Sequence, residues 1–477
     1  MDLNRRNFVK GVAGAGLSLS VVGTVSAESR ARYVVTGREN VANRVERAGY
    51  DVVTELAGGR VVVVDGDEGV ADVNGVQSAV PNLTLALDGP VEQVAAETTD
   101  EELFDLQWDK QTTDVPEAHE TTTGEGATVA VIDTGVDIDH PDLEPNLNLE
   151  ASRLFRQGEV LAGEGEVVMP DGERTTRHVV DDVDGHGSHV SGITAGSNDG
   201  TTGITGTAPD AELVGLRVFY FATYENADGE EVFGMVTTTA DILAAIDYAA
   251  SIGVDAMNMS IGTSPQPPQN NSEGYRVAYR TVISEANNQG SVVVVSTGNS
   301  SADLQHGGTF TTPNSVSGAM SVSATGPNDE LVFYSNYGTN EVAVGAPGGG
   351  YETLEKTLTA DYDGDGDGEY PVDTDGDGET DDYEDHPLPE WPYPTNLVLS
   401  SVPPELYDDN AYAYFAGTSM AAPQVTGTAA LVRSVAPDAN VNQVEQAIQQ
   451  GATGAGGKRS ADVGAGVLNA AGALDSL

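Results

Sequence analysis

Three side chains able to move protons or attack carbonyls stand in glycine-rich settings along this chain. Ser419 lies in Gly417-Thr-Ser-Met-Ala-Ala-Pro-Gln-Val-Thr-Gly427, where an apolar, alanine-rich run reads as a buried helix. A serine at a helix N-terminus sits beside unpaired backbone N–H groups, which favour negative charge on a nearby oxygen. The same position is also the ordinary place for a capping serine. On this reading Pro423 falls in the first turn, where its missing N–H costs little. Asp133 ends the run Val129-Ala-Val-Ile132, read as a buried parallel strand. Open α/β sheets carry functional groups at such carboxyl ends, but Asp-Thr-Gly is equally a surface turn. His186 lies between glycines in Asp184-Gly-His-Gly187, ahead of a helical run with Val190 and Ile193; His189 is its rival. Two histidines near acids also raise zinc, yet no third ligand follows at a metal-binding spacing.

Together these stretches resemble the motifs of the subtilisin-like serine proteases (subtilases), in that family's order of Asp, His and Ser. The matching segments are Val129 to Asp137, Asp184 to Gly192 and Gly417 to Gly427, and the resemblance covers roughly residues 100 to 477. It extends to halolysin-like secreted proteases of halophilic archaea. The implied fold is α/β, a mostly parallel sheet flanked by helices. The implied catalytic set is Ser419 as nucleophile, His186 as general base and Asp133 orienting the imidazole, with His189 left to packing. Asp137, His140, Pro141, Asp142 and Leu143 continue the family's pattern as surroundings of the site. Asn299, after Ser296-Thr-Gly298, matches the oxyanion-hole asparagine, with the Ser419 backbone N–H as second donor. Ser260-Ile261-Gly262 matches the edge that pairs with a bound peptide, giving affinity through the backbone.

A different chemistry is written between Gly348 and Asn396. The acidic insert 351–394 holds Asp373, Asp375, Asp377 and Glu384 at the spacing of a calcium-binding loop. Asp361, Asp363 and Asp365 begin a second such loop, but Val372 stands where its terminal acid belongs. Alternating carboxylates and glycines let a chain wrap a hard cation in oxygen. An acidic surface loop holding only water and salt is the competing reading. The calcium would be structural; no flanking helix pair makes this an EF-hand, and no catalytic metal is expected.

The elements that must position these groups follow in order. Glu212 to Val218 reads as a strand, Thr237 to Gly253 as an amphipathic helix, and Ala256 to Ile261 as the next strand. Val282 to Asn288 is helical, Ser291 to Val295 a buried strand that delivers Asn299, and Asn442 to Gln450 a late helix. Residues 28–100 form a separate small unit of order βαββαβ. Its strands are Arg32–Thr36, Asp51–Leu56, Arg60–Asp65 and Leu83–Leu87, its helices Glu39–Ala48 and Asp67–Ser78, with a turn at Gly58-Gly59. It resembles the inhibitor I9-like propeptide of subtilases, which implies an intramolecular inhibitor and folding aid preceding the peptidase domain 101–477.

Residues 1–27 have the layout of an export signal: Arg5-Arg6, a mildly apolar glycine-rich run, then Ser26-Ala27. The paired arginines favour the Tat route. The run is too short and glycine-rich to serve as a stable membrane anchor. The formal net charge is −54, from 75 Asp+Glu against 21 Lys+Arg, spread along the chain. Such a surface repels itself unless molar salt shortens the screening length to about 3 Å. It fits a halophilic protein and disfavours nucleic acid as a partner. There is no cysteine, so no disulfide, thiol nucleophile or cysteine-bound metal. The expectation is a secreted, monomeric serine endopeptidase acting on polypeptides through an acyl-enzyme. The competing readings are a non-catalytic calcium-binding surface protein on the same scaffold and a processing protease of narrow specificity.

Overall fold

The computed structural model describes residues 18–22, 31–38, 40–87, 91–96, 103–197, 202–226, 229–266, 274–306, 308–374, 380–454 and 456–477. Of the proposed export signal, residues 1–17 and 23–27 lie outside the described residues.

An eight-stranded sheet organises the larger unit, in the order Glu159–Leu161, Arg153–Arg156, Glu212–Arg217, Thr128–Asp133, Ala256–Met259, Val292–Ser296, Ala319–Thr325, Val344–Pro347. Every neighbouring pair is parallel except the first. The subtilisin-like α/β fold is therefore present. Strand Thr128–Asp133 shows why an unbroken apolar run was required. Val129 and Val131 join the core on one face, Ala130 and Ile132 the core on the other. The first face carries helices His186–Ala195, Thr418–Val435 and Val441–Gly451; the second carries Thr239–Ser251 and Tyr275–Gln289. Thr239–Ser251 and Val441–Gly451 lie within two residues of the expected bounds, whereas Tyr275–Gln289 starts seven residues earlier than expected.

The N-terminal unit has an antiparallel sheet ordered Asp51–Leu56, Val61–Asp65, Arg32–Gly37, Val76–Pro81. That is the strand order of a split βαβ sandwich. One expected element is wrong. Asp67–Ser78 is not a helix: only Glu68–Asp72 turns, as a 3-10 segment, and Val76–Pro81 is a strand on Arg32–Gly37. Gly69 and Gly75 weaken a helix there, and pairing with an open sheet edge outweighs what remains of the propensity. Val34, Val61, Val63 and Val80 face helices Thr239–Ser251 and Tyr275–Gln289, while Val35, Val62 and Val64 pack on Val41 and Val45 of the unit's own helix. Each buried valine contributes about 1.5–3 kcal/mol.

Polar contacts fix this docking. Asp247 Oδ1 accepts from the Ala57 N–H at 2.7 Å, Arg60 pairs with Glu285 at 2.5 Å, and Asn82 Oδ1 accepts from the Ala240 N–H at 2.8 Å. Thr84–Leu87 leaves the sheet and pairs antiparallel with Glu231–Thr238, beside strand Ser18–Val22. Among the described residues no helix is long and apolar enough to cross a membrane.

Candidate active site

Asp133 leaves the carboxyl end of its strand fully buried, and His186 opens helix His186–Ala195 directly across from it. His186 Nδ1 and Asp133 Oδ1 are 2.7 Å apart, with the Thr134 N–H donating to the same oxygen at 2.8 Å. This close approach needs Gly187, since a Cβ there would lie 2.1 Å from the Gly135 carbonyl oxygen. Burial opposes a charge on His186, but the Asp133 carboxylate and its hydrogen bond, helped by Asp184 and Asp182, outweigh it and raise the pKa above the ordinary value.

Sequence reasoning missed the group that ties strand to helix. Asp182 accepts from Thr134 Oγ1 (2.9 Å), the Asp184, Gly185 and Ser188 N–H groups (3.0, 3.1 and 2.8 Å) and Ser188 Oγ (2.7 Å). It stands within Asp181-Asp182-Val183-Asp184, and nothing local marks it out from its neighbours.

Ser419 is the second residue of helix Thr418–Val435 and is buried. Its hydroxyl points to the Ser260 carbonyl oxygen at 3.4 Å, while His186 Nε2 is buried without a hydrogen-bond partner among the described residues. Pro423 is not in the first turn, as expected, but is the sixth helical residue. Lacking an N–H, it leaves the Ser419 carbonyl oxygen without its intrahelical donor. Ser260 Oγ fills that vacancy at 2.7 Å, and Asn258 Nδ2 in turn donates to Ser260 Oγ at 3.0 Å. The kink-prone position thus becomes a brace between the serine helix and the segment Ser260-Ile261-Gly262. Gly262 itself pairs with Ser18 in a parallel ladder, so that edge accepts an extended chain.

Asn299 is held by a residue the sequence did not single out. Thr418 donates to Asn299 Oδ1 twice, from its N–H at 2.8 Å and from Oγ1 at 2.7 Å, and Oγ1 accepts from the Gly298 N–H at 3.1 Å. With its oxygen occupied, the amide presents Nδ2 toward Gly417, where an added Cβ would lie 3.4 Å from it. His189 packs rather than reacts. It stacks on Phe415 at 4.1 Å and bonds the Ala413 and Val398 carbonyls at 3.0 and 3.2 Å, and burial pushes its pKa down to about 3.

Of the four residues expected in the later calcium loop of the acidic insert, only Asp373 and Glu384 are among the described residues. Glu369–Val372 and Asp382–Asp385 form an antiparallel hairpin, which puts Glu384 on a strand opposite Tyr370, whose hydroxyl donates to it at 2.8 Å. Asp373 directly follows the first of these strands; Asp375 and Asp377 lie outside the described residues. In the earlier run the acids brought together are Asp361, Asp363 and Glu369, each offering an oxygen within 4.8 Å of the others. Glu369 takes the place that the spacing assigned to Val372, because the chain turns back after nine residues instead of twelve. Asp365 is not in this group; its Oδ1 accepts from the Asp367 N–H at 2.9 Å.

A sequence profile of the subtilase family matches residues 124–472. A thermophilic serine proteinase from Bacillus sp. (strain AK1) is 30% identical over 345 residues, 72% of this chain but only 61% of the relative's own length. Thermitase from Thermoactinomyces vulgaris is 29% identical over 69% of this chain and 82% of its own length. Among solved structures, the epidermin leader peptide processing serine protease of Staphylococcus aureus superposes with a TM-score of 0.65 at 22% identity, over 94% of this chain and 98% of that one. This coverage exceeds the profile-matched residues, so the likeness in fold reaches into the N-terminal unit.

Proposed function

This chain belongs to the subtilase family of serine endopeptidases, and from that premise we propose that it is an exported, salt-adapted protease made as a precursor. Ser419 Oγ attacks the peptide carbonyl carbon while His186 Nε2 takes its proton. Asp133 holds the imidazole through Nδ1 and stabilises the cation that forms. Asn299 Nδ2 and the Ser419 N–H donate to the oxyanion. His186 then gives the proton to the leaving amine, and water hydrolyses the acyl-enzyme by the reverse sequence. The Ser419 hydroxyl must swing from the Ser260 carbonyl to Nε2 for the first step; such bonds commonly tighten only around substrate. The observation carrying this reading is the buried 2.7 Å Asp133–His186 contact beside an unpartnered Nε2.

Residues 28–100 act as the propeptide. Their support is the docked sheet, with Asn82 and Asp247 linking it to helix Thr239–Ser251. Export by the Tat route rests on Arg5-Arg6, and adaptation to salt on the net charge of −54. A structural calcium would be held by Asp361, Asp363 and Glu369, three hard oxygen donors on one turn.

The test is casein hydrolysis in molar salt with calcium, by wild type and Ser419→Ala. Wild type alone should be active. Folded, processed wild type without activity would sink the protease reading.

A further inference from the structure

Asn299 has to aim its amide from a loop. The ladder between Val292–Ser296 and Ala319–Thr325 ends at Ser296, opposite Val322, and the Thr297 N–H adds a last bond to the Val322 carbonyl at 3.0 Å. Gly298 then turns the chain through the left-handed region, at φ 93°. A side chain that must meet a developing charge to within about 0.5 Å needs its backbone held, and past Ser296 the sheet no longer does so.

One side chain from a segment remote in sequence takes over. Asn336 is buried, 1% exposed. Its Nδ2 donates to the Thr297 carbonyl at 2.8 Å, on one side of Asn299. Its Oδ1 accepts from the Ser300 and Ala302 N–H groups at 3.0 and 2.9 Å, on the other side. Its own N–H donates to the Gly298 carbonyl at 2.9 Å. Four backbone groups of residues 297–302 thus end on one residue. The task needs an oxygen with two lone pairs and an N–H donor on one short stem. Aspartate lacks the donor, leucine lacks both, and glutamine is a methylene too long. The clamp is itself anchored to the sheet. Ser335 Oγ donates to the Asn336 carbonyl and accepts from the Ala324 N–H, both at 3.0 Å. The fit is close as well as polar, since a Cβ on Gly298 would stand 2.8 Å from Asn336 Nδ2.

We propose that Asn336 is a positioning residue for the oxyanion donor. Thr418 holds the Asn299 side chain by its oxygen. Asn336 fixes the backbone from which that side chain departs, and so fixes where Nδ2 stands when the tetrahedral intermediate forms.

The inference rests on the reading of Asn299 as oxyanion donor, and the experiment separates the two. Wild type, Asn336→Ala, Asn299→Ala and the double variant are expressed as the full chain and purified after processing. On a peptide p-nitroanilide, Asn336→Ala should lower kcat at least tenfold, toward the roughly 100-fold cost of a 1 Å misplacement, with KM changed by less than about twofold. In the Asn299→Ala background the same substitution should cost kcat almost nothing more. A peptide aldehyde supplies a second readout. Ser419 Oγ bonds to its carbonyl carbon, and the carbonyl oxygen, taking up the serine proton, becomes the hydroxyl of a hemiacetal in the oxyanion position. Its Ki should rise by the factor that kcat falls, while the peptide alcohol of the same sequence, which forms no adduct, should bind both enzymes equally. A merely structural brace would lower the urea midpoint and leave that difference alone. Should Asn336→Ala not fold, Asn336→Ser, which keeps a hydroxyl in the gap, is read by the same criteria. Full kcat in the folded variant, equal weakening of aldehyde and alcohol, or an undiminished loss without Asn299 would overturn the assignment. Wild-type kcat in Asn299→Ala would instead remove the oxyanion reading, and an inactive wild type the protease reading.

Discussion

Thr418→Val is the sharpest probe of how the oxyanion donor is aimed. Valine keeps the shape of this buried residue and removes only the hydroxyl. Two bonds go with it: the 2.7 Å donation to Asn299 Oδ1 and the 3.1 Å acceptance from the Gly298 N–H. The 2.8 Å donation from the Thr418 N–H to Asn299 Oδ1 stays. Stranding a buried N–H should lower stability by about 1–3 kcal/mol. For catalysis the ceiling is the loss of a whole oxyanion donor, about 100- to 1,000-fold in kcat. With one of two anchors left, the expected loss is about tenfold, half of the lower ceiling in free energy. KM should hardly move, because Asn299 acts on charge that exists only in the transition state. Steady-state kinetics on a peptide substrate, beside urea denaturation, gives both numbers. A double-mutant cycle supplies the control: in an Asn299→Ala background Thr418→Val should cost kcat almost nothing more. Full kcat in folded Thr418→Val, or the same tenfold loss without Asn299, would refute the anchoring argument.

Gly187→Ala forces a methyl to within 2.1 Å of the Gly135 oxygen. Relief needs roughly 1 Å of movement between strand and helix, and such a misplacement costs about 100-fold in kcat/KM; near-native hydrolysis rates would show that the contact is soft. The raised pKa of His186 sets the pH profile. The base must be neutral, so kcat/KM should fall as pH drops through a midpoint above the ordinary histidine value of about 6.5. Stability runs the other way: the Asp133–imidazolium attraction is fully present below the unfolded pKa and lost as pH rises through the folded one. Asp184→Asn removes one raising charge and should lower the kinetic midpoint; a midpoint that stays put would contradict the assigned cause. Lys110 is fully buried, with Nζ 2.7 Å from Gln424 Oε1 and 3.1 Å from Asp109 Oδ2. Lys110→Met leaves Asp109 buried and unpaired, so it should cost about 3–5 kcal/mol, and Asp109→Asn should restore part of that. Urea denaturation in a Ser419→Ala background, which prevents self-digestion, measures both.

The elements that carry the site were legible because each was written in a local pattern strong enough to survive its surroundings. Val129 to Ile132 and Val292 to Val295 are unbroken apolar runs, and a strand buried on both faces demands that. Thr239–Ser251 keeps its apolar residues on one face and is capped by Thr238, whose Oγ1 accepts from the Asp241 N–H at 3.2 Å. Where the local pattern was weak, distant partners decided. Val76–Pro81 became a strand because Arg32–Gly37, some forty residues upstream, offered an edge. In the insert, Glu369–Val372 and Asp382–Asp385 pair as strands that no alternating pattern had marked, with Tyr370 and Tyr383 among the paired residues. Pro423 was read from the first turn alone. Its consequence, a free carbonyl taken by Ser260, needed a residue 159 positions away in sequence.

Acidic residues show the limit of such reading. Seventy-five are spread along the chain, and a uniform spread reads as solvated surface. Yet Asp109, Asp133, Asp182 and Asp241 are fully or almost fully buried. Each is tolerable because several donors meet it, at least one of them from a distant segment. Asp241 takes the Gln157 and Gly158 N–H groups, both at 3.0 Å, and Thr238 Oγ1 at 2.8 Å. Asp182 takes five donors from two segments, and Asp109 takes Gln424 Nε2 at 2.6 Å. A buried carboxylate is therefore a property of its donors, and the sequence around it contains only some of them. The Asp133–His186 pair escapes this limit through its motif, since the glycines around both residues already announce that two backbones must meet. Asp182 carries no such signal, although it is what holds that meeting in place.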